Sequence, residues 1–151
     1  MSIITGLSPV EIAALTTADI AGLTTTDVAE FTVAQIPALT SAQIQALSVG
    51  NVAAFSTVQF PAFTAAQIAA MTAGQIAAIE VADIAVMTKA QVAAIEAADA
   101  ASLTAGQIAA LTTAQASSLT SAQLAAMSST QIQAIDSQDL AQLTTLAIKG
   151  L

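Results

Sequence analysis

Eighteen octapeptides follow one another from Leu7 to Gly150 without an insertion or deletion, around the consensus L-T-x-x-Q-I-A-A. LTSAQIQA from Leu39, FTAAQIAA from Phe63 and LTAGQIAA from Leu103 are typical. A unit this short cannot enclose a core, so each copy must bury its apolar side against its neighbours. The chain reads as one elongated repeat domain without a linker: an N-terminal cap at 1–6, the repeats at 7–150 and a C-terminal end at 151. Both ends leave the consensus but stay apolar, as expected of caps that self-associate or of a piece of a longer array.

Within the unit, position 1 is large and apolar in every copy, and position 6 in all but two, Ala100 and Ala116. These two positions are the expected core. Position 2 is Ser or Thr in fifteen units and Glu80, Glu96 or Asp136 in the rest; position 5 is Gln, Asn, Asp or Glu everywhere except Ala147. That is the S/T-x-x-Q/E capping box, in which the hydroxyl accepts from the backbone N–H three residues on and the longer side chain reaches back. A helix should therefore start afresh in every unit. Ser8-Pro9-Val10-Glu11 is the clearest start, because proline at the first helical position loses no intrahelical bond. Pro37 and Pro61 at position 7 should end their helices after about one turn.

An all-α solenoid of short capped helices follows, with a β-solenoid as the rival. Alanine, 39 of the 151 residues, is depleted in strands, and Thr followed by Gln three residues later is a helix-start signal. One continuous helix fails on arithmetic, since eight residues advance the apolar stripe by about 80° too far per repeat. Ala or Gly at position 4 suggests close approach of neighbouring backbones. For the coil, residues 31–54 align with 55–78 at a spacing of 24, whereas IEVADIAV from Ile79 and IEAADAAS from Ile95 are related at 16. A zigzag with two units per coil is slightly preferred to one with three.

LTAGQIAALTTAQ, residues 103–115, resembles the tandem octapeptide tracts of some large bacterial proteins, many of them predicted to be secreted or at the cell surface. The resemblance covers nearly the whole chain and implies a bacterial structural module. MTKAQVAAI, residues 87–95, is also similar to the first helix of TAL-effector repeats. Their 34-residue period, second helix, base-reading loop and basic residues are missing here, so DNA reading is not implied.

Composition narrows the function. A formal charge of −8, with Lys89 and Lys149 the only cations, argues against nucleic acid as a partner. Without Cys or His there is no thiol or imidazole chemistry, and Ser or Thr without a base makes no triad, so no enzyme is expected. No run of about eighteen apolar residues suggests a membrane span. The N-terminus lacks the basic start of a cleavable signal; export by an uncleaved signal to the surface is slightly preferred to a cytoplasmic location.

The candidate metal ligands are Glu80 with Asp83 and Glu96 with Asp99, which would stack in a two-unit coil and offer oxygens to Ca²⁺; Asp136 with Asp139 repeats the pattern. Acids at these positions would equally serve as helix caps, and Lys89 stands between the two pairs. Phe31, Phe55, Phe60 and Phe63 all fall at core positions. Residues 31–79 contain no charge and form the expected surface for self-association or a protein partner. The expected function is a non-enzymatic structural or protein-interaction module; the alternatives are an ice-binding protein using ranked Thr hydroxyls and a calcium-stabilised adhesin stalk.

Overall fold

The computed structural model describes residues 2–143 and 145–148, with the side chains of 145 and 146 left aside; Met1 and the C-terminal end at 151 lie outside the described residues. Each octapeptide forms one short helix, and among the described residues there is no strand. Ser41–Ala46 shows how a unit is made. Thr40 is extended (φ −76°, ψ 160°), its hydroxyl accepts from the Gln43 N–H, and Gln43 accepts from the Thr40 N–H. Leu47, also extended (φ −62°, ψ 135°), ends the helix by donating its N–H to the Ile44 carbonyl. Two extended residues at positions 1 and 2 thus make a corner, and the next capping box turns the chain back into a helix. The proline units differ in kind: Ile36–Ala38 and Phe60–Ala62 are 3-10 helices, because proline cannot donate back along an α-helical turn.

The coil contains three units, not two. Pro9–Ala14 packs on Ile36–Ala38, Thr17–Ala21 on Ser41–Ala46, Ala65–Ala69 on Lys89–Ala94, and Ala97–Ala100 on Ser121–Ala126, always 24 residues apart by unit. The solenoid therefore has three sides. The first carries the units that start at Leu7, Phe31, Phe55, Ile79, Leu103 and Met127. The second starts at Leu15 and the third at Leu23, each recurring every 24 residues. The similarity at a spacing of 16 that favoured a two-unit coil joins different sides and sets no packing period.

Positions 1 and 6 point inward as expected, except at Leu140 and Ile148 in the last two units, which are exposed. Ile12, Ile20, Ile36, Ile44 and Ile76 are completely buried, with Leu39, Met71 and Ile79 beside them. The phenylalanines are core too: Phe31 and Phe55, one coil apart, have ring centroids 6.0 Å apart, and Phe55 meets Phe63 edge-on at 4.8 Å. Ala100 leaves a small internal void of about 10 Å³ lined by Ile84, Val92, Ile95 and Leu103. Position 4 departs from expectation. Its residues are exposed, and a Cβ added to Gly74 or Gly106 would meet only Val49 or Val81 side chains, at 3.7 and 3.8 Å. Alanine there reflects helix propensity, not backbones pressed together.

The N-terminal segment completes the first coil. Gly6 takes φ +81°, a value that favours glycine, and leads Ile4 into the core at the phase of a position 6. The Thr5 hydroxyl donates to the Glu30 carboxylate at the end of the third unit.

Candidate functional site

The position 5 glutamines do more than cap. In Gln43 the amide oxygen accepts from the Thr40 N–H (2.7 Å), while Nε2 donates to the carbonyls of Ile12 and Leu15 (2.8 Å each), a corner of the coil beneath. Gln67, Gln75, Gln91, Gln107, Gln115, Gln123 and Gln131 repeat this at offsets of 31 and 28 residues. Each buried carboxamide thus ties two coils together with both halves of its polar group used. Asn51, one methylene shorter, reaches only the Leu23 carbonyl.

In the first coil the same position holds Glu11, Asp19 and Asp27. They close capping boxes with Ser8, Thr16 and Thr24, lie exposed or half-buried, and have no coil beneath them among the described residues. Hydrogen bonds hold these carboxylates below their usual pKa. The Ser8 backbone N–H, then its hydroxyl, does so for Glu11; the Thr16 hydroxyl, then its N–H, does so for Asp19; Asp27 gains from the Thr24 hydroxyl, its N–H and Ser2. The sequence carried the signal in plain form: the acids fill three consecutive units, one coil.

The carboxylates proposed as calcium ligands are not brought together. Glu80 and Asp83 lie on the first side, Glu96 and Asp99 on the third, Asp136 and Asp139 on the second, as does Lys89. Among the described residues no group of three or more Asp or Glu is placed to hold a metal ion. Capping fails for two of the acids as well: Glu80 and Glu96 make no side-chain cap bond, whereas Asp136 accepts from the N–H groups of Gln138 and Asp139. Asp83 is buried where a glutamine would donate downward. Burial, and then the nearby Glu80 charge, pushes its pKa up to about 6; Asp99, half-buried, is raised by burial and then by Glu96.

Positions 2 to 4 form the outer faces. On the second side Thr16, Thr40, Thr64, Thr88 and Thr112 make a rank through five coils, over Ala18, Ala42, Ala66, Ala90 and Ala114. Each hydroxyl accepts from the position 5 N–H of its own unit. The first side is apolar: Val10, Val33, Val58 and Val81 are exposed in four successive coils. The uncharged residues 31–79 wrap all three sides, so they do not by themselves define a face. An open groove of about 440 Å³ at the corner between the third and first sides runs past Val49, Ala77, Glu80, Val81 and Gln107. The valine stripe was hidden in the sequence because its spacing means nothing until the coil length is known.

No described helix is long and apolar enough to cross a membrane. No curated protein and no solved structure matches the chain. A family model described as the ALTTAQ repeat matches residues 12–49 and 76–113, together just over half of the sequence. With the octapeptide register unbroken between and beyond those segments, the chain belongs to the ALTTAQ repeat family.

Proposed function

We propose that the chain is a non-enzymatic structural and protein-interaction module of a bacterial surface or secreted protein, and that it self-associates. The observation that carries this reading is the contrast between its interior and its exterior. The buried glutamines of the core are spent on tying coils together, while one outer side presents large aliphatic residues. A chain with no His or Cys, whose buried glutamines are already engaged, has its chemistry committed to holding a shape. Small-angle scattering and sedimentation of the whole chain over a range of concentrations test the reading. Rod-like particles whose mass rises with concentration support it, and a constant monomer mass up to millimolar chain sinks the self-association.

The threonine rank on the second side supports one further reading, ice binding by evenly repeated Thr and Ala. Its test is thermal hysteresis that is lost in Thr64→Lys and retained when a lysine replaces an outward residue on another side.

A further inference from the structure

We propose that the first side of the solenoid is a lateral dimer face and that its occupant is a second copy of this chain, lying antiparallel. This rests on the self-association proposed above and adds to it a face, a partner and an orientation.

At the outward positions 3 and 4, large aliphatic residues concentrate on this side. Val10 is 79% exposed, Val33 51%, Val58 73% and Val81 48%. Val49, on the third side, is the one other such residue at these positions among the described residues. The four valines alone expose on the order of 400 Å², already the size of patch that marks a contact site and about half of what one partner brings to a standard interface. Pro9, Ala34 and Ala82 lie beside them in the same units, and Ala105 carries the surface into the coil beyond Val81.

The period selects the partner. The stripe advances one valine per coil, so a partner that buries all four must present apolar residues at the rise of this solenoid, as a second copy does. The positions then select the orientation. Along the stripe the valines alternate between positions 4, 3, 4 and 3. In a two-fold, antiparallel pair the order reverses: Val10 faces Val81 of the second copy, and Val33 faces Val58. Every contact then joins a position 4 to a position 3, and one patch complements itself as a two-fold interface requires. A parallel pair in register would set like positions against each other instead. From Val33 to Pro61 this face bears no charge. At its two ends the antiparallel pair brings Glu11 of each copy towards Glu80 of the other, a repulsion that water and salt screen. Against a net charge of −8, association should strengthen as salt is added.

Sedimentation velocity of the full chain, with far-ultraviolet circular dichroism to confirm folding, gives the first arm. The expected result is a dimer weakened at least tenfold by Val33→Lys with Val58→Lys and left unchanged by Ala42→Lys with Ala66→Lys on the second side. If both pairs weaken it equally, or only the second pair does, the face is wrong while self-association stands. A wild-type chain that stays monomeric removes both proposals, and open-ended growth beyond the dimer overturns the closed pair. The second arm uses the absence of cysteine from the sequence. Chains carrying Val10→Cys should cross-link with chains carrying Val81→Cys and not with themselves; self-linking of Val10→Cys chains would mean a parallel pair and overturn the orientation.

Discussion

Replacing Gln75 by Glu changes one NH₂ for an oxygen and keeps the shape, so it removes the clamp between coils and, at pH 7, sets a negative charge against the carbonyls it held. Gln75 is buried; its Oε1 accepts from the Thr72 N–H at 2.9 Å, and its Nε2 donates to the carbonyls of Ile44 at 2.7 Å and Leu47 at 2.8 Å. In Gln75→Glu the cap acceptor survives, but both donors to the lower coil are lost. The Ile44 carbonyl still receives the Leu47 N–H; the Leu47 carbonyl loses its side-chain donor. Two hydrogen bonds at about 1 kcal/mol each, with about 1–3 kcal/mol for a stranded buried acceptor, put the loss near 3–5 kcal/mol. For a chain of this length that lowers the melting temperature by roughly 10 °C. The matched control is Glu11→Gln, the reverse change at an exposed position with no coil beneath it, expected to shift stability by less than about 1 kcal/mol. The assay is thermal unfolding followed by circular dichroism and calorimetry at pH 7. Hydrogen exchange should locate the loosening near residues 44–48 and 72–79. The penalty should shrink on acidification, because burial raises the new carboxyl's pKa and the protonated form can donate again. A Gln75→Glu chain within 1 kcal/mol of wild type, or no worse than Glu11→Gln, would refute the clamp.

The wild-type pH profile follows from the same chemistry. Burial raises the folded pKa of Asp83 to about 6, from about 3.9 for an ordinary Asp, so its penalty is present above pH 6 and disappears as pH falls through that value towards 4; the upper bound is about 3 kcal/mol, and water around so thin a solenoid reduces it. Asp83→Asn should therefore raise the melting temperature at pH 7.5 and flatten the profile between pH 7 and 4, and an unchanged profile would count against it. Glu11, Asp19 and Asp27 have lowered values and act in the opposite sense, their contribution being lost only as pH falls below about 4. Ala100→Val should fill the void beside Ile84 and Ile95 and stabilise by about 1 kcal/mol in denaturant unfolding, whereas a loss of stability would mean that the site is already full. Glu80→Thr should restore the missing cap of Val81–Val86, again for about 1 kcal/mol, measured as a rise in unfolding midpoint.

Much of the fold was legible because each unit carries its own instructions. Ser8-Pro9-Val10-Glu11 announces a helix start and makes one, with both halves of the capping box in place. The core at positions 1 and 6 is equally local. What the sequence hid was how units meet. The alignment of 31–54 with 55–78 already held the coil length, yet the likeness of IEVADIAV and IEAADAAS at a spacing of 16 pointed to a shorter period, although those two units lie on different sides. The clamp was hidden for a related reason: Gln suffices for a capping box and so looked explained, although Glu would have capped as well. Only the requirement to donate to a second coil, seen in Gln43 and Gln75, explains why the amide is chosen there and the acid in the first coil. At Glu80 local reasoning failed outright, since its side chain makes no cap bond.

Three units to a coil also set the rules by which such a chain can lengthen or shorten. Adding or removing 24 residues returns every later unit to its own side, so the faces keep their chemistry and each glutamine still finds a corner below it. A change of eight residues preserves the core equally well, because every unit has the same inward positions, but it rotates the rest of the molecule by a third of a turn. The valines beyond the change would then continue on a different side, and the patch would break into two short ones. Length variation in arrays of this design is thus neutral for folding in steps of one unit and neutral for recognition only in steps of three. A slipped copy of the gene can leave a stable protein whose surface has been reshuffled.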